Sequence, residues 1–107
     1  MKATKRMENI VGTSLVGYLT LTSEQLTNLL GEPTTFSGGK CSKMWIADFD
    51  GKIATIYDHK SEGFDECFWE EYRFHVGSHD ESVLPLLEKA FVGIGTVTSL
   101  RAELGLV

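Results

Sequence analysis

The sequence predicts an α+β fold: an antiparallel β-sheet with helices packed on one face. Three observations carry this. Asp50-Gly51 separates two apolar runs, and Asp-Gly supplies the positive φ angles of a tight hairpin. Residues 72–77, "YRFHVG", alternate with period two. Two short stretches, 22–33 and 82–93, carry helix signals between the strand-like runs. The resulting order is β-α-β-β-β-α plus a C-terminal tail. A chain of 107 residues supports one domain, 1–107, with one modest core.

Residues 1–10 are charged, with Lys2, Lys5 and Arg6, and lack the apolar run of a secretory signal, so this end is expected to fray. "SLVGYLTL" (14–21) is rich in strand formers. "TSEQLTNLLGEP" (22–33) reads as a complete helix: Thr22 and Gln25 have capping-box spacing, and Leu26, Leu29 and Leu30 form an apolar stripe. Gly31 suits a positive-φ terminus and Pro33 stops continuation. Strands are expected near 43–50 and 52–58, so nearly continuous in apolar and small residues that both faces should be partly covered. In 72–77, Tyr72, Phe74 and Val76 take one face and Arg73 and His75 the other. Pro85 is tolerated only in a first helical turn, which places the N-cap at Ser82 and turns Val83, Leu84, Leu87, Ala90 and Phe91 to the core. The helix ends near Gly93. The tail 94–107 is apolar enough to dock, with a short helix from Ser99 to Glu103.

The net charge of −5 disfavours nucleic acid as a partner, because phosphate binding wants a basic face. Cys41 and Cys67 are too few for a disulfide framework and read as free thiols of a cytoplasmic protein. No apolar run reaches the length of a membrane span. Asp48, Asp50 and Asp58 surround the hairpin, where turn and strand-end positions account for them better than acid–base chemistry. His59, His75, His79 and the cysteines lack a metal-ligand spacing, so neither metal nor cofactor is expected. "SGGKCSK" (37–43) is not a Walker loop, but its glycines free backbone amides and Lys40 and Lys43 add charge that an anion could meet. The acidic stretch 58–71 interleaves Phe64, Phe68 and Trp69 with acids including Asp65 and Glu66, a composition suited to a protein-binding patch. In "GTSLVGY" (12–18), Thr13 and Ser14 fit a turn, or the floor of a ligand site. Gly17 marks a bulge or a close approach.

The stretches "GTSLVGY" (12–18), "LLGEP" (29–33), Trp45, "DGKIATIYD" (50–58) and "HVGS" (75–78) resemble a family of small, mostly uncharacterised bacteriophage proteins. The resemblance implies an α+β phage protein that disarms a host process in the bacterial cytoplasm. The leading expectation is a non-enzymatic sponge that binds and sequesters a nucleotide-derived immune signal. Thr13 and Ser14 would hydrogen-bond the ligand and Lys40 and Lys43 would meet phosphate. Trp45, Tyr57 or Arg73 would stack on a base or read phosphate, with His75 completing the set. The alternative is an anti-CRISPR-like inhibitor that binds a host defence protein through loop 58–71. A third class is an enzyme acting on the signal, with His75 or His79 as general base. A homo-oligomer is expected, with Ile94, Val97, Leu100, Leu104, Leu106 and Val107 of the tail at its interface.

Overall fold

The computed structural model describes residues 1–37, 41–59 and 69–105. It is α+β: one seven-stranded antiparallel sheet with three short helices. The elements are β1 (Lys2–Thr4), a 3₁₀ turn (Met7–Ile10), β2 (Ser14–Thr22), α1 (Ser23–Leu30), β3 (Thr34–Thr35), β4 (Lys43–Phe49), β5 (Lys52–Tyr57), β6 (Glu71–Ser78), α2 (Val83–Ala90), β7 (Thr96–Ser99) and α3 (Leu100–Glu103). The strands lie in the order β1-β4-β5-β6-β2-β7, and β3 joins the edge of β4 that also carries β1.

The hairpin forms as the Asp-Gly pair requires: Asp50 has φ +54° and Gly51 φ +100°, and Asp48 Oδ1 accepts the Gly51 N–H at 2.7 Å. β4 and β5 then pair from Phe49↔Lys52 to Met44↔Tyr57. α1 starts on a complete capping box. The Thr22 hydroxyl accepts the Gln25 N–H at 3.1 Å, and Gln25 Oε1 accepts the Thr22 N–H at 2.9 Å. Gly31, at φ +79°, takes the chain out of α1, where a side chain would be strained.

Leu26 and Leu30 of α1, with Val83, Leu84 and Leu87 of α2 and Phe91 just beyond it, form one apolar cluster with Leu19, Leu21, Ala54, Ile56, Phe74 and Val76 of the sheet. Ile46 and Ile53 lie outside that cluster and are also buried, while the 3₁₀ turn packs on β5. The middle of the sheet is therefore covered on both faces, as the continuous apolar runs implied.

Several expectations are corrected. Leu29, placed in the apolar stripe, is 41% exposed, because the face of α1 turned to the sheet is the one carrying Ser23, Leu26 and Leu30. Part of the N-terminal segment expected to fray is instead β1, which pairs Lys2–Thr4 with Ile46–Asp48. The tail carries β7, which adds to β2 from Gly17↔Ser99 to Thr20↔Thr96, ahead of the expected short helix. Ser82 stands at the N-cap of α2 but makes no capping bond. Its N–H donates instead to Asp80 Oδ1 at 2.8 Å, as does its hydroxyl, and these bonds hold the Asp80 carboxyl below its usual range.

Gly17 is both of the things its position suggested. β2 and β6 change register between Leu15 and Gly17, a bulge at Val16, and Gly17 pairs closely with Ser99 of β7. A Cβ there would sit 2.5 Å from the Thr98 carbonyl oxygen and 3.1 Å from Leu84 Cδ2. Main chain cannot yield cheaply, so Gly17→Ala is expected to cost about 1–3 kcal/mol in urea unfolding. It should also raise hydrogen exchange at the amides of 96–99. An unchanged midpoint and unchanged exchange would contradict this packing role.

Candidate functional site

The register of three adjacent strands sets a row of rings across the face opposite the apolar cluster. His75 of β6 pairs with Tyr57 of β5 on one side and Tyr18 of β2 on the other. The Tyr18 and His75 centroids are 5.2 Å apart, edge to face, and Tyr57 and His75 are 5.5 Å apart. His59, just past β5, stacks on His75 at 5.0 Å with an interplanar angle of 18°. The Tyr72 hydroxyl fixes His59 from below: it accepts the His59 N–H at 3.1 Å and donates to the His59 carbonyl at 3.0 Å. Arg73, two residues before His75 and so on its face, lays its guanidinium 4.1 Å over the Tyr18 ring and bonds Glu103 of α3.

The rings pack chiefly against one another: Tyr18 and His75 are each 8% exposed. The Arg73 side chain is 41% exposed and Tyr57 and His59 are part-exposed, so the cluster presents its cation and two of its rings to solvent. Burial raises the Tyr57 phenol above the ordinary tyrosine value of 10.0, with smaller contributions from Cys41 and Tyr18. At neutral pH it is an uncharged donor. The cluster thus offers π faces, a phenolic donor and a guanidinium, a combination suited to a planar ring that carries an anionic group.

Tyr57, Arg73 and His75, all named from the sequence, meet here; the other candidates do not. Trp45, expected to stack on a base, is 2% exposed on the helix side, edge-on to Phe74 at 5.6 Å, with its Nε1–H donated to the Gly31 carbonyl at 3.0 Å. It is a core residue there, because β4 turns Trp45 and Ala47 to the apolar cluster. Lys43 begins β4 beside Trp45, in a cleft next to α1. The Thr13 hydroxyl and N–H both donate to the Ile10 carbonyl, at 2.8 and 3.1 Å, which is turn chemistry. Ser14 is exposed at the start of β2, opposite Ser78. Lys40, Phe64, Asp65, Glu66 and Phe68 lie outside the described residues. Trp69 is 72% exposed.

Tyr18 and His59 are the members that sequence reading missed. Tyr18 was legible in part: once Leu19 and Leu21 face the core, alternation sends Tyr18 to the other side. His59 is placed by Tyr72, a contact across 13 residues that no local pattern announces.

The carboxylates near the hairpin do not converge. Asp48 serves the turn, and Asp58, fully buried, accepts the Ser42 N–H, the Ser42 hydroxyl and the Lys43 N–H, each at 2.8 Å. Among the described residues no three His, Cys, Asp or Glu side chains are grouped to hold a metal ion, and no helix is long and apolar enough to cross a membrane. Comparison with protein-family models, curated proteins and solved structures finds no match in any of the three.

The Tyr57 environment has a pH consequence. The unfolded chain releases the phenolic proton near 10.0 and the folded chain later, so the stability linked to Tyr57 is intact below 10.0 and falls as pH rises towards the folded value. An ultraviolet titration of the folded protein should show a late tyrosinate step that Tyr57→Phe abolishes. A late step that persists in the variant, or an amplitude loss confined to the ordinary tyrosine range, would show that Tyr57 is not the late-ionising group.

Proposed function

We propose that the protein is a non-enzymatic binding protein that takes up and sequesters a nucleotide-derived signalling molecule at the ring cluster of β2, β5 and β6. One observation carries this reading. A guanidinium lies on a tyrosine ring in line with two further aromatic strand positions, so base-stacking surfaces and a phosphate partner stand on one sheet face. In this reading Arg73 turns from Glu103 to the phosphate, and the rings of His59 and Tyr57 meet the base. An overall charge of −5 favours a small nucleotide over a polyanionic strand. In the bacteriophage setting that the sequence resemblance implies, uptake of this kind would deprive a host immune system of its signal. Homo-oligomerisation would involve the outer edge of β7, which closes the sheet at that side.

A second reading is a protein-binding inhibitor. It is favoured by Trp69, 72% exposed beside the exposed acids Glu70 and Glu71, an aromatic anchor with a charged rim.

Incubation with cyclic mono- and dinucleotides and cyclic ADP-ribose, followed by denaturation and analysis of the released molecule, separates the classes. Intact recovery is the expected result. An altered product indicates an enzyme, and no uptake removes this reading in favour of the protein-binding one. Arg73→Ala should weaken uptake by roughly tenfold or more and make it less salt-dependent, since a charge-assisted bond is lost. Thr13→Ala with Ser14→Ala should lower the melting temperature and leave affinity unchanged, because the Thr13 hydroxyl closes a turn on Ile10.

A further inference from the structure

A second candidate site lies on the helix side of the sheet, apart from the ring cluster. Between α1 and the β3–β4 edge is a cleft of about 290 Å³. Ser23, Thr27 and Thr35 bring hydroxyls to it, Lys43 a cation, Glu32 a carboxylate and Pro33 an apolar ring, over a floor that includes the buried Trp45. Ser23 is only 2% exposed, and its Oγ has no hydrogen-bond partner among the described residues. A buried hydroxyl left unpaired is costly, and such groups call for a partner. α1 does not use it: the capping box of Thr22 and Gln25 already closes the helix start. Lys43 is held at the cleft by its own main chain, whose N–H is fixed on the buried Asp58.

We propose that this cleft binds a small zwitterion of amino-acid size. Its carboxylate is received by the Ser23 hydroxyl and the Lys43 ammonium, its ammonium faces Glu32, and its side chain lies against Pro33. Charges of both signs in the lining distinguish this site from a plain anion site, where Glu32 would oppose the ligand. Hydroxyls from i and i+4 of α1 and from β3 supply the remaining polar contacts.

The test is an amide-resolved NMR titration of the full chain with L-valine, with acetate and methylammonium as half-ligands. L-Valine should perturb the amides of Ser23, Thr27, Thr35 and Lys43, and acetate should bind at least about tenfold more weakly. Ser23→Ala and Lys43→Met should each weaken L-valine binding by about tenfold or more. Ser23→Ala should leave the melting temperature no lower, because it removes a hydroxyl with no hydrogen-bond partner among the described residues; a merely structural serine would behave oppositely. Glu32→Gln should weaken L-valine and leave acetate unchanged. No perturbation at tens of millimolar, or parental affinity in both Ser23→Ala and Lys43→Met, would overturn the proposal. Acetate binding as tightly as L-valine, with Glu32→Gln silent, would overturn it in favour of a simple anion site. None of these outcomes bears on the ring cluster, which lies on the other face.

Discussion

The rest of the structure depends on the register between β2 and β6. Eight pairings, from Ser14↔Ser78 to Thr22↔Glu71, place Leu19 opposite Phe74 and Tyr18 opposite His75. Side chains alternate along a strand, so a slip of one residue would send the leucines to the ring face and the tyrosine into the core. The bulge at Val16 absorbs one residue within this ladder, so that Gly17 still meets Val76 and pairs closely with β7 on its other side. The apolar core, the ring cluster and the docking of the last strand all follow from that one alignment.

Around this ladder, several polar groups removed from water are secured by hydrogen bonds between residues distant in the chain. Asp58 is the clearest case. A fully buried carboxylate would be costly alone, but three donors from Ser42 and Lys43 surround it and pin the start of β4 to the end of β5. The Trp45 indole N–H similarly satisfies the last carbonyl beyond α1. The ion pairs Arg101–Glu81 and Arg73–Glu103 are largely exposed and contribute little to stability. α3 is positioned chiefly by the β7 ladder that precedes it and by the Ser99 hydroxyl, which accepts the Ala102 N–H at 3.0 Å.

The two proposed sites differ because the two faces of the sheet differ. One face carries helices, and its binding space is a gap beside α1 where polar residues interrupt the apolar packing. The other carries aromatic and charged strand residues, and its chemistry comes from rings and a guanidinium brought together by register. Trp45 and Tyr57 illustrate the division: Tyr57 pairs with Met44, the neighbour of Trp45 on β4, yet one belongs to the core and the other to the ring cluster.

What the sequence determined by itself is what depends on a few consecutive residues. The Asp50-Gly51 turn, the Thr22–Gln25 capping box, the exit at Gly31, the first-turn Pro85 and the alternation of 72–77 are local, and each formed as local physics requires. Tyr57, Arg73 and His75 enter as ligand contacts only through what the sequence resemblance implies; their meeting on one sheet face is a product of strand register. Tertiary structure alone decided the rest. β1, β3 and β7 are two to four residues long, and such strands exist only because a distant partner offers an edge. The near-continuous apolar run of β4 carries no period-two signal, so nothing in it showed that Trp45 would turn to the helices. Nothing local marks Ser23, whose hydroxyl is buried by packing at the start of α1. Burial and strand register are sums over contacts far apart in the chain, and no window of sequence contains them.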